Sequence, residues 1–255
     1  MNKIWQIAPK IPIEFKNKFP EINPLVLQLL WNRGLKTQRE IDEFLSPDYS
    51  KDLHDPFLFN EMKGVIQRIK KAIDLNEKIT IYGDYDADGV CGTAILYSTL
   101  KKLGAKVNYY LPDREKEGYG LNKKAIEKII KEGTKLIITV DCGITNFEEV
   151  DLANKSGVEI IITDHHTPLD NLPNALFILN PKVKGEKYPF KELAGSGVVF
   201  KLVQALLKEQ SKINNSEAFE KWLLDLVAIG TIADLAQLKG ENRTLVKYGL
   251  IVLNK

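Results

Sequence analysis

Apolar residues recur along this chain with two different spacings, and the change falls near residue 77. Upstream, they repeat every three to four positions, as in residues 61–75, which indicates amphipathic helices. A further helix is predicted over residues 25–34, and a capping-box sequence at 37–40 introduces another. We therefore predict a helical N-terminal region over residues 1–76, packed on the domain that follows.

From residue 77 onward, short apolar strands alternate with helices. The strands are predicted at 78–83, 106–111, 135–140, 158–163 and 175–180. The intervening helices are predicted at 93–104, 122–133 and 146–157, each close to a glycine that ends it, namely Gly104, Gly133 and Gly157. Strands joined by helices of about 10–15 residues form right-handed βαβ units, so this alternation predicts a mainly parallel sheet.

The spacing of apolar residues is helical again after residue 192. Helices are predicted at 193–210, 217–235 and 242–255. The whole pattern predicts an α/β domain over residues 77–255. In this domain a mainly parallel β-sheet carries helices on both faces, preceded by the helical N-terminal region and followed by further helices.

Acidic and histidine residues come directly after three of the predicted strands. They are Asp84, Asp86 and Asp88 after the first strand, Asp141 after the third, and Asp164, His165 and His166 after the fourth. In an open parallel sheet the carboxyl ends of all strands lie at one edge, so we expect these side chains to converge. At least four carboxylates and two imidazoles in one crevice are costly without a cation.

Oxygen and imidazole ligands suit Mn²⁺ and, less exclusively, Mg²⁺, whereas zinc is less favoured without thiolates. Aspartates that bridge two ions would hold them roughly 3.5–4 Å apart, as in sites that hydrolyse phosphate esters. The residues alone leave alternatives open. Asp84, or any one of the three aspartates that follow the first strand, can be a turn or cap residue, although this does not explain all three together. Asp141 can cap a strand end, and one of His165 and His166 can be a ligand while the other supports it.

The spacing of Asp84, Asp86 and Asp88 also matches the start of an EF-hand loop. That loop needs a glutamate seven residues after the last aspartate, where this chain has Ile95. It also needs a helix upstream, where this chain has a predicted strand. A calcium hand is therefore excluded.

Asp234 lies in the otherwise apolar helical segment 225–235. A buried aspartate requires a partner, so Asp234 is a candidate for the same site. The alternative is a helix-end cap or a surface residue. The lysine-rich segment 182–191 contains Tyr188 and Phe190, which suits either a surface that follows a phosphate backbone and stacks bases or a solvated loop.

Composition adds little to these predictions. The formal net charge is +2, which by itself gives no indication of nucleic-acid binding. The two cysteines, Cys91 and Cys142, are too few for a zinc knuckle or a disulfide framework. No segment approaches the ~20 apolar residues of a membrane span, and the N-terminus has no signal-peptide pattern. We expect a cytoplasmic protein.

Four motifs, GDYDADG, VDCG, TDHH and GTIADL, resemble in this order the signature motifs of the DHH phosphoesterase superfamily. Flanking segments such as LLWNRG, PDREKEGYGLN and GENRTLVKYGL extend the resemblance to the bacterial single-strand-specific DNA exonucleases within it. The resemblance implies a hydrolase dependent on Mn²⁺ or Mg²⁺. Such an enzyme degrades single-stranded DNA from its 5′ end to mononucleotides, in DNA repair and recombination.

The resemblance also implies roles for individual residues. Those at metal-binding positions of the family are Asp86, Asp88, Asp141, His165 and Asp234, with Asp84 either a ligand or beside one. It places His166 in hydrogen bonding or charge stabilisation, and Asp164 in orienting a histidine. Arg114, the turn Gly118-Tyr119-Gly120, and Arg243 are expected near the scissile phosphate, with a surface salt bridge as the alternative for each arginine.

Members of this superfamily have two lobes, and the exonucleases add an OB-fold. No glycine- and histidine-rich motif of a second, DHHA1-type lobe occurs in this sequence. We therefore expect an N-terminal catalytic lobe with a complete metal site, an incomplete substrate channel and weak activity alone. One alternative is another phosphodiesterase of the superfamily, acting on oligoribonucleotides or cyclic dinucleotides. A non-catalytic replication scaffold would be expected to lose the acidic ligands, which this chain retains.

Overall fold

The computed structural model describes residue 4, residues 6–209 and residues 214–255. The chain divides into two compact units, Met1–Asp48 and Tyr49–Lys255. The predicted boundary at residue 76 differs from this division. Residues 49–76 belong to the second unit because the apolar stripe predicted for residues 61–75 packs into the core of the sheet domain.

The described part of the first unit contains three short helices, α1 (Ile13–Lys18), α2 (Pro24–Asn32) and α3 (Gln38–Leu45). Its small core consists of Phe15, Phe19, Leu27, Leu30, Leu35 and Ile41. The predicted capping box is confirmed: the Thr37 hydroxyl accepts a hydrogen bond from the Glu40 amide, and the Glu40 carboxylate accepts one from the Thr37 amide. Helix α1 was not predicted from the sequence.

The second unit begins with a short 3₁₀ helix at Pro56–Leu58 and is an α/β domain. Its helices are α4 (Met62–Asp74), α5 (Ala87–Lys102), α6 (Lys123–Lys131), α7 (Phe147–Lys155), α8 (Gly195–Glu209), α9 (Ser216–Trp222), α10 (Leu224–Ala233) and α11 (Gly240–Leu253). Its strands are β1 (Lys78–Gly83), β2 (Lys106–Tyr110), β3 (Leu136–Val140), β4 (Glu159–Thr163) and β5 (Phe177–Leu179). All neighbouring strands are parallel, in the order β2-β1-β3-β4-β5.

The sheet is covered on both faces, which confirms the predicted fold class. On one face, Ile138 of β3 packs in a core with α4, α5, α8, α10 and α11. On the other face, Ile137 packs in a core with α6 and α7. Both faces of the central strands are therefore apolar, as expected for a buried parallel sheet. In the part of the chain that the structure describes, no helix is both long and apolar enough to cross a membrane.

Two of the predicted helices differ from the structure by more than a shift of one or two residues at an end. Helix α5 begins at Ala87 rather than near residue 93, because the Asp86 carboxylate caps it by accepting from the amides of Asp88 (2.9 Å) and Gly89 (3.0 Å). The predicted helix 217–235 is divided at Leu223 into α9 and α10. Helix α8 ends at Glu209, and the predicted last residue Gln210 lies outside the described residues.

The predicted glycine helix ends are confirmed by the backbone. Gly104, Gly133 and Gly157 have φ values of 84°, 81° and 71° after α5, α6 and α7. These values lie in the left-handed region that ends many helices. Each glycine thus lies in the short connection between its helix and the next strand.

Candidate metal centre

Three aspartates stand one residue beyond three adjacent strands of the sheet. The amide of Asp84 donates to the Val140 carbonyl (3.1 Å), that of Asp141 to Thr163 (2.9 Å), and that of Asp164 to Leu179 (3.0 Å). These bonds extend the parallel ladders across the edge of the sheet. They place all three aspartates side by side, as the strand-end argument predicts.

Buried polar atoms without hydrogen bonds occur at this edge. Oδ1 of Asp84, Oδ1 of Asp141 and Nε2 of His165 are all buried and make no hydrogen bond. His165 Nε2 lies 3.1 Å from Asp141 Oδ1, without hydrogen-bond geometry. Buried polar atoms are rarely left without a partner, so this cluster requires an additional electropositive partner.

Asp141 has an unusual backbone conformation. Its φ is 62°, in the left-handed region that non-glycine residues seldom adopt. The residue facing its carboxylate is Gly195, at the start of α8. A Cβ at Gly195 would lie 2.6 Å from Asp141 Oδ1, so only glycine fits there. Backbone strain of this kind costs of order 1–3 kcal/mol and is concentrated at functional sites.

Asp88 is held by the N-terminus of α8. Its Oδ2 accepts from the Gly195 amide (2.6 Å), and its Oδ1 accepts from the Ser196 amide (3.0 Å). The positive end of the helix dipole stabilises a carboxylate in this position. Helix α10 approaches from another side, and a Cβ at Gly230 would lie 2.5 Å from Asp88 Oδ1. Asp88 is therefore fixed between two helices.

Asp164 orients the histidine pair. Its Oδ1 accepts from the amides of His165 (2.7 Å) and His166 (3.0 Å) and lies 2.8 Å from His166 Nδ1. Its Oδ2 accepts from the Ile144 amide (3.0 Å). Both oxygens of this fully buried carboxylate are engaged, so Asp164 supports the site rather than facing it.

The electrostatics of the site divide into two parts. Burial raises the pKa of Asp84 to about 6. Burial, followed by the negative charges of Asp88 and Asp86, raises the pKa of Asp141 to about 10. Burial also raises the pKa of Asp88. These carboxylates are difficult to ionise without a nearby cation.

The second part consists of Asp164 and His166, whose pKa shifts favour the charged forms. Burial alone would raise the pKa of Asp164, but hydrogen bonds from the His166 side chain and from backbone amides lower it below its ordinary value. The hydrogen bond to Asp164 raises the pKa of His166, which favours the imidazolium form. Both shifts favour the charged forms of Asp164 and His166, which form a pair beside the carboxylate cluster.

Asp234 lies at the C-terminal end of α10, and its Oδ2 is 3.9 Å from His165 Nε2. The alternative role as a helix cap is unfavourable, because a carboxylate at a helix C-terminus faces the negative end of the dipole. Its side chain is only 24% exposed. Asp234 thus joins the cluster, as its placement in an apolar segment suggested.

Within the residues that the structure describes, the side chains that could hold a metal ion form three overlapping groups. They are Asp84, Asp86 and Asp141; Asp88, His165 and Asp234; and Asp141, His165 and His166. In each group the donor atoms lie within 4.8 Å of one another. Asp141 and His165 belong to two groups each, so they link the clusters.

The loop after β2 carries three of the predicted substrate-binding residues, Arg114, Gly118 and Tyr119. Gly118 and Gly120 have φ values of 75° and 81°, and Tyr119 between them points to the site. The Tyr119 hydroxyl donates to the Asp141 carbonyl (3.4 Å), and its oxygen lies 3.0 Å from His166 Nδ1. Tyr119 is about half exposed, so it contacts the histidine and still faces solvent.

The two predicted arginines occupy different surroundings. Arg114 is exposed, with its guanidinium carbon 5.5 Å from the centre of the Tyr85 ring, and it pairs with no carboxylate among the residues described. The salt-bridge alternative therefore has no support for Arg114. Arg243 is half-buried in the first turn of α11.

Of the two alternatives for the segment 182–191, a base-stacking surface and a solvated loop, base stacking is wrong for Tyr188. This ring is fully buried and stacks on Phe59 with ring centres 4.0 Å apart. Its hydroxyl donates to Glu241 (2.6 Å). The half-buried Phe190 packs against the same core. Both aromatic residues hold the loop to the domain, and the fully buried Tyr188 cannot stack on a nucleic-acid base.

Sequence reasoning missed Asn180, the residue that follows β5. It is fully buried; its Nδ2 donates to the His166 carbonyl (2.9 Å), and its Oδ1 accepts from the Lys182 amide (2.8 Å). Asn180 therefore fixes the backbone of His166. A polar residue at a strand end was the available signal, since β1, β3 and β4 end in the same way.

Comparison with known proteins agrees with this geometry. Residues 78–231 match the DHH family, N-terminal domain, and the chain belongs to that family. It is 50% identical over 229 residues to the single-stranded-DNA-specific exonuclease RecJ of Bacillus subtilis (strain 168), a match that covers 90% of this chain and 28% of the relative.

Solved structures give the same result. One is RecJ of Thermus thermophilus in complex with Mn²⁺, with a TM-score of 0.75 and 32% identity over 97% of this chain and 34% of that one. Another is an exonuclease RecJ bound to manganese, with a TM-score of 0.68 and 39% identity over 76% of this chain and 48% of that one. The chain thus spans less than half the length of these relatives.

Proposed function

We propose that this chain is the catalytic lobe of a metal-dependent exonuclease that hydrolyses single-stranded DNA from the 5′ end to mononucleotides. It would act in the cytoplasm, in DNA repair and recombination. The observation that carries the proposal is the cluster of buried, unpartnered atoms from Asp84, Asp141 and His165 at the edge of the sheet. The similarity to RecJ exonucleases supports the choice of substrate.

The donor set fits Mn²⁺ or Mg²⁺. Carboxylates and an imidazole are suitable ligands for these ions, and no thiolate belongs to the three groups found among the described residues. We infer that Asp84, Asp86 and Asp141 would hold one ion, and Asp88, His165 and Asp234 a second. When bound, such ions supply Lewis-acid polarisation of phosphate oxygens and make water more acidic.

The remaining residues act on the substrate through charge and position. Asp164 holds His166 with its Nδ1 toward the carboxylate, which leaves the rest of a ring that is 42% exposed available to the phosphate. As an imidazolium, His166 would stabilise negative charge that develops in the transition state. Tyr119 contacts the same ring, and the exposed guanidinium of Arg114 is suited to a phosphate of the DNA strand.

We expect weak activity from this chain alone. The relatives are more than twice as long, and we propose that their additional C-terminal part completes the channel that selects single strands. Selection of this kind depends on a basic groove and on stacking of bases on aromatic rings. The buried position of Tyr188 removes one of the two local candidates for such stacking.

A nuclease assay with Mn²⁺ tests the proposal. Single-stranded DNA labelled at either end should release mononucleotides from the 5′ end, more slowly from this chain than from a version extended past residue 255. The Asp141→Ala variant should be inactive, whereas Asp170→Ala, which removes an exposed aspartate from a loop, should match wild type. Equal activity in Asp141→Ala and wild type would contradict the mechanism.

A substrate panel distinguishes the other enzymes of the superfamily. Short oligoribonucleotides, cyclic dinucleotides and pyrophosphate are compared with long single-stranded DNA under the same conditions. Our proposal predicts the fastest turnover on single-stranded DNA. Faster turnover of any of the others would replace the proposed substrate while leaving the metal centre in place.

A further inference from the structure

Asn242, in the first turn of α11, joins two separate segments that lead to the metal centre. Its side chain is fully buried. Nδ2 donates to the carbonyl of Glu192 (2.5 Å) and to the carbonyl of Gln237 (3.1 Å). Both contacts are to backbone atoms, so they fix the path of the main chain rather than the position of a side chain.

Each of the two segments lies close along the chain to a residue that supports or supplies one carboxylate of the same donor group. Glu192 is three residues before Gly195, whose amide donates to Asp88 at 2.6 Å. Gln237 is three residues after Asp234, the other carboxylate. Asp88 and Asp234 form a donor group with His165. The Asn242 amide thus connects the supports of both carboxylates.

The chemistry of the position favours asparagine. Two carbonyl oxygens must be bound by one short side chain, which requires an NH₂ group close to the backbone. Asn242 Oδ1 is buried without a hydrogen-bond partner. An unpaired buried acceptor costs free energy. The contribution of this side chain to the structure therefore comes from its two N–H donors.

The backbone around Asn242 is itself held in place. The neighbouring Glu241 is buried and accepts from Lys201 Nζ (2.6 Å), the Tyr188 hydroxyl (2.6 Å) and the His54 amide (2.8 Å). These bonds anchor the first turn of α11 to α8 and to the loop before α4. A displacement of either segment held by Asn242 therefore cannot be absorbed by a movement of α11.

We propose that Asn242 is a positioning residue that sets the separation of Asp88 and Asp234, and through it the metal affinity of the Asp88–His165–Asp234 group. The inference rests on the proposed metal centre. Asn242 touches none of the three donors. Its loss should weaken this group selectively and leave the Asp84–Asp86–Asp141 group intact.

Calorimetric titration of Mn²⁺ into the wild-type chain and its variants tests the inference, with thermal unfolding measured in parallel. Asp234→Ala identifies the binding event that belongs to the affected group. Asn242→Ala should weaken that event by about 10–100-fold, the usual effect of removing a supporting residue, and leave the other event unchanged. Asn242→Asp fills the same space without N–H donors and should behave in the same way.

The control is Leu245→Ala, a buried residue of the same helix that destabilises the core without removing either amide contact. It should lower the unfolding temperature and leave both Mn²⁺ events at wild-type affinity. The inference is overturned if Asn242→Ala binds Mn²⁺ like wild type, if both events weaken equally, or if Leu245→Ala reproduces the selective loss. It is also overturned if neither Asn242 variant folds while Leu245→Ala does. Absence of Mn²⁺ binding in wild type would overturn the proposed metal centre as well.

Discussion

Replacing Asp141 with asparagine should stabilise the metal-free protein, although it removes a central residue of the site. Burial and neighbouring carboxylates raise the pKa of Asp141 to about 10 from an ordinary value of 3.8. At pH 7 the folded state must therefore keep a proton that the unfolded chain releases. Each pH unit of this difference is worth about 1.4 kcal/mol, which gives an upper bound of about 4 kcal/mol over the interval.

Asparagine has the same shape and tolerates the left-handed backbone conformation of Asp141 as well as aspartate does. We expect Asp141→Asn to be more stable by about 2–4 kcal/mol at pH 7, which corresponds to an increase in Tm of about 5–15 °C. The destabilisation by a carboxyl with a raised pKa is absent below pH 3.8 and grows as the pH rises. The difference between the two proteins should therefore increase from about pH 4 to pH 8.

Differential scanning fluorimetry in EDTA over this pH range measures the effect. Asp170→Asn, which removes the same charge from an exposed loop, should follow wild type at every pH. Added Mn²⁺ should stabilise wild type more than Asp141→Asn, because ligands that bind only the folded state raise its stability and the variant keeps only the Asp88–His165–Asp234 group intact. A metal-free Asp141→Asn protein that is no more stable than wild type at pH 8 would refute the reasoning.

Three further predictions concern the surroundings of the site. Gly230→Ala places a Cβ 2.5 Å from Asp88 Oδ1, so it should weaken Mn²⁺ binding measured by calorimetry, and unchanged affinity would contradict the close packing. Asp164→Asn weakens the charge-assisted hydrogen bond that orients His166, so it should lower kcat about 10–100-fold with a smaller change in KM. An effect on KM alone, with kcat unchanged, would argue against this role. Lys201→Met leaves Glu241 without its buried cation and should destabilise the chain by about 3–5 kcal/mol in urea unfolding, whereas a change below about 1 kcal/mol would contradict the buried ion pair.

The sequence predicted the sheet and its functional edge because both depend on local patterns. Strands such as 135–140 are short and apolar throughout, and the helices between them end at glycines whose backbone the structure confirms. Parallel strands then place Asp84, Asp141 and Asp164 at one edge without knowledge of strand order. Asp234 was recognisable for a different reason, since a lone carboxylate in an apolar helical segment requires a partner.

Contacts between distant segments were not predictable in this way. The aromatic ring of Tyr188 lies among lysines in sequence, but its burial depends on Phe59 and Glu241, which are far away along the chain. The same applies to Asn180 and Asn242, because a buried asparagine that binds main-chain carbonyls has no sequence pattern. The start of α5 was missed for a local reason: a cap role was open for any one of the three aspartates, but it was not used to place the start of the helix, which Asp86 caps.

The central claim is that the edge of the sheet binds divalent metal through this set of carboxylates and one imidazole. Anomalous diffraction from crystals grown with Mn²⁺ tests it most directly. We predict anomalous peaks within coordination distance of Asp141. They should also lie within coordination distance of the group that contains Asp84 and Asp86, and of the group that contains Asp88 and Asp234. The absence of a peak at this edge under saturating Mn²⁺, or a peak bound only to other residues, would contradict the claim.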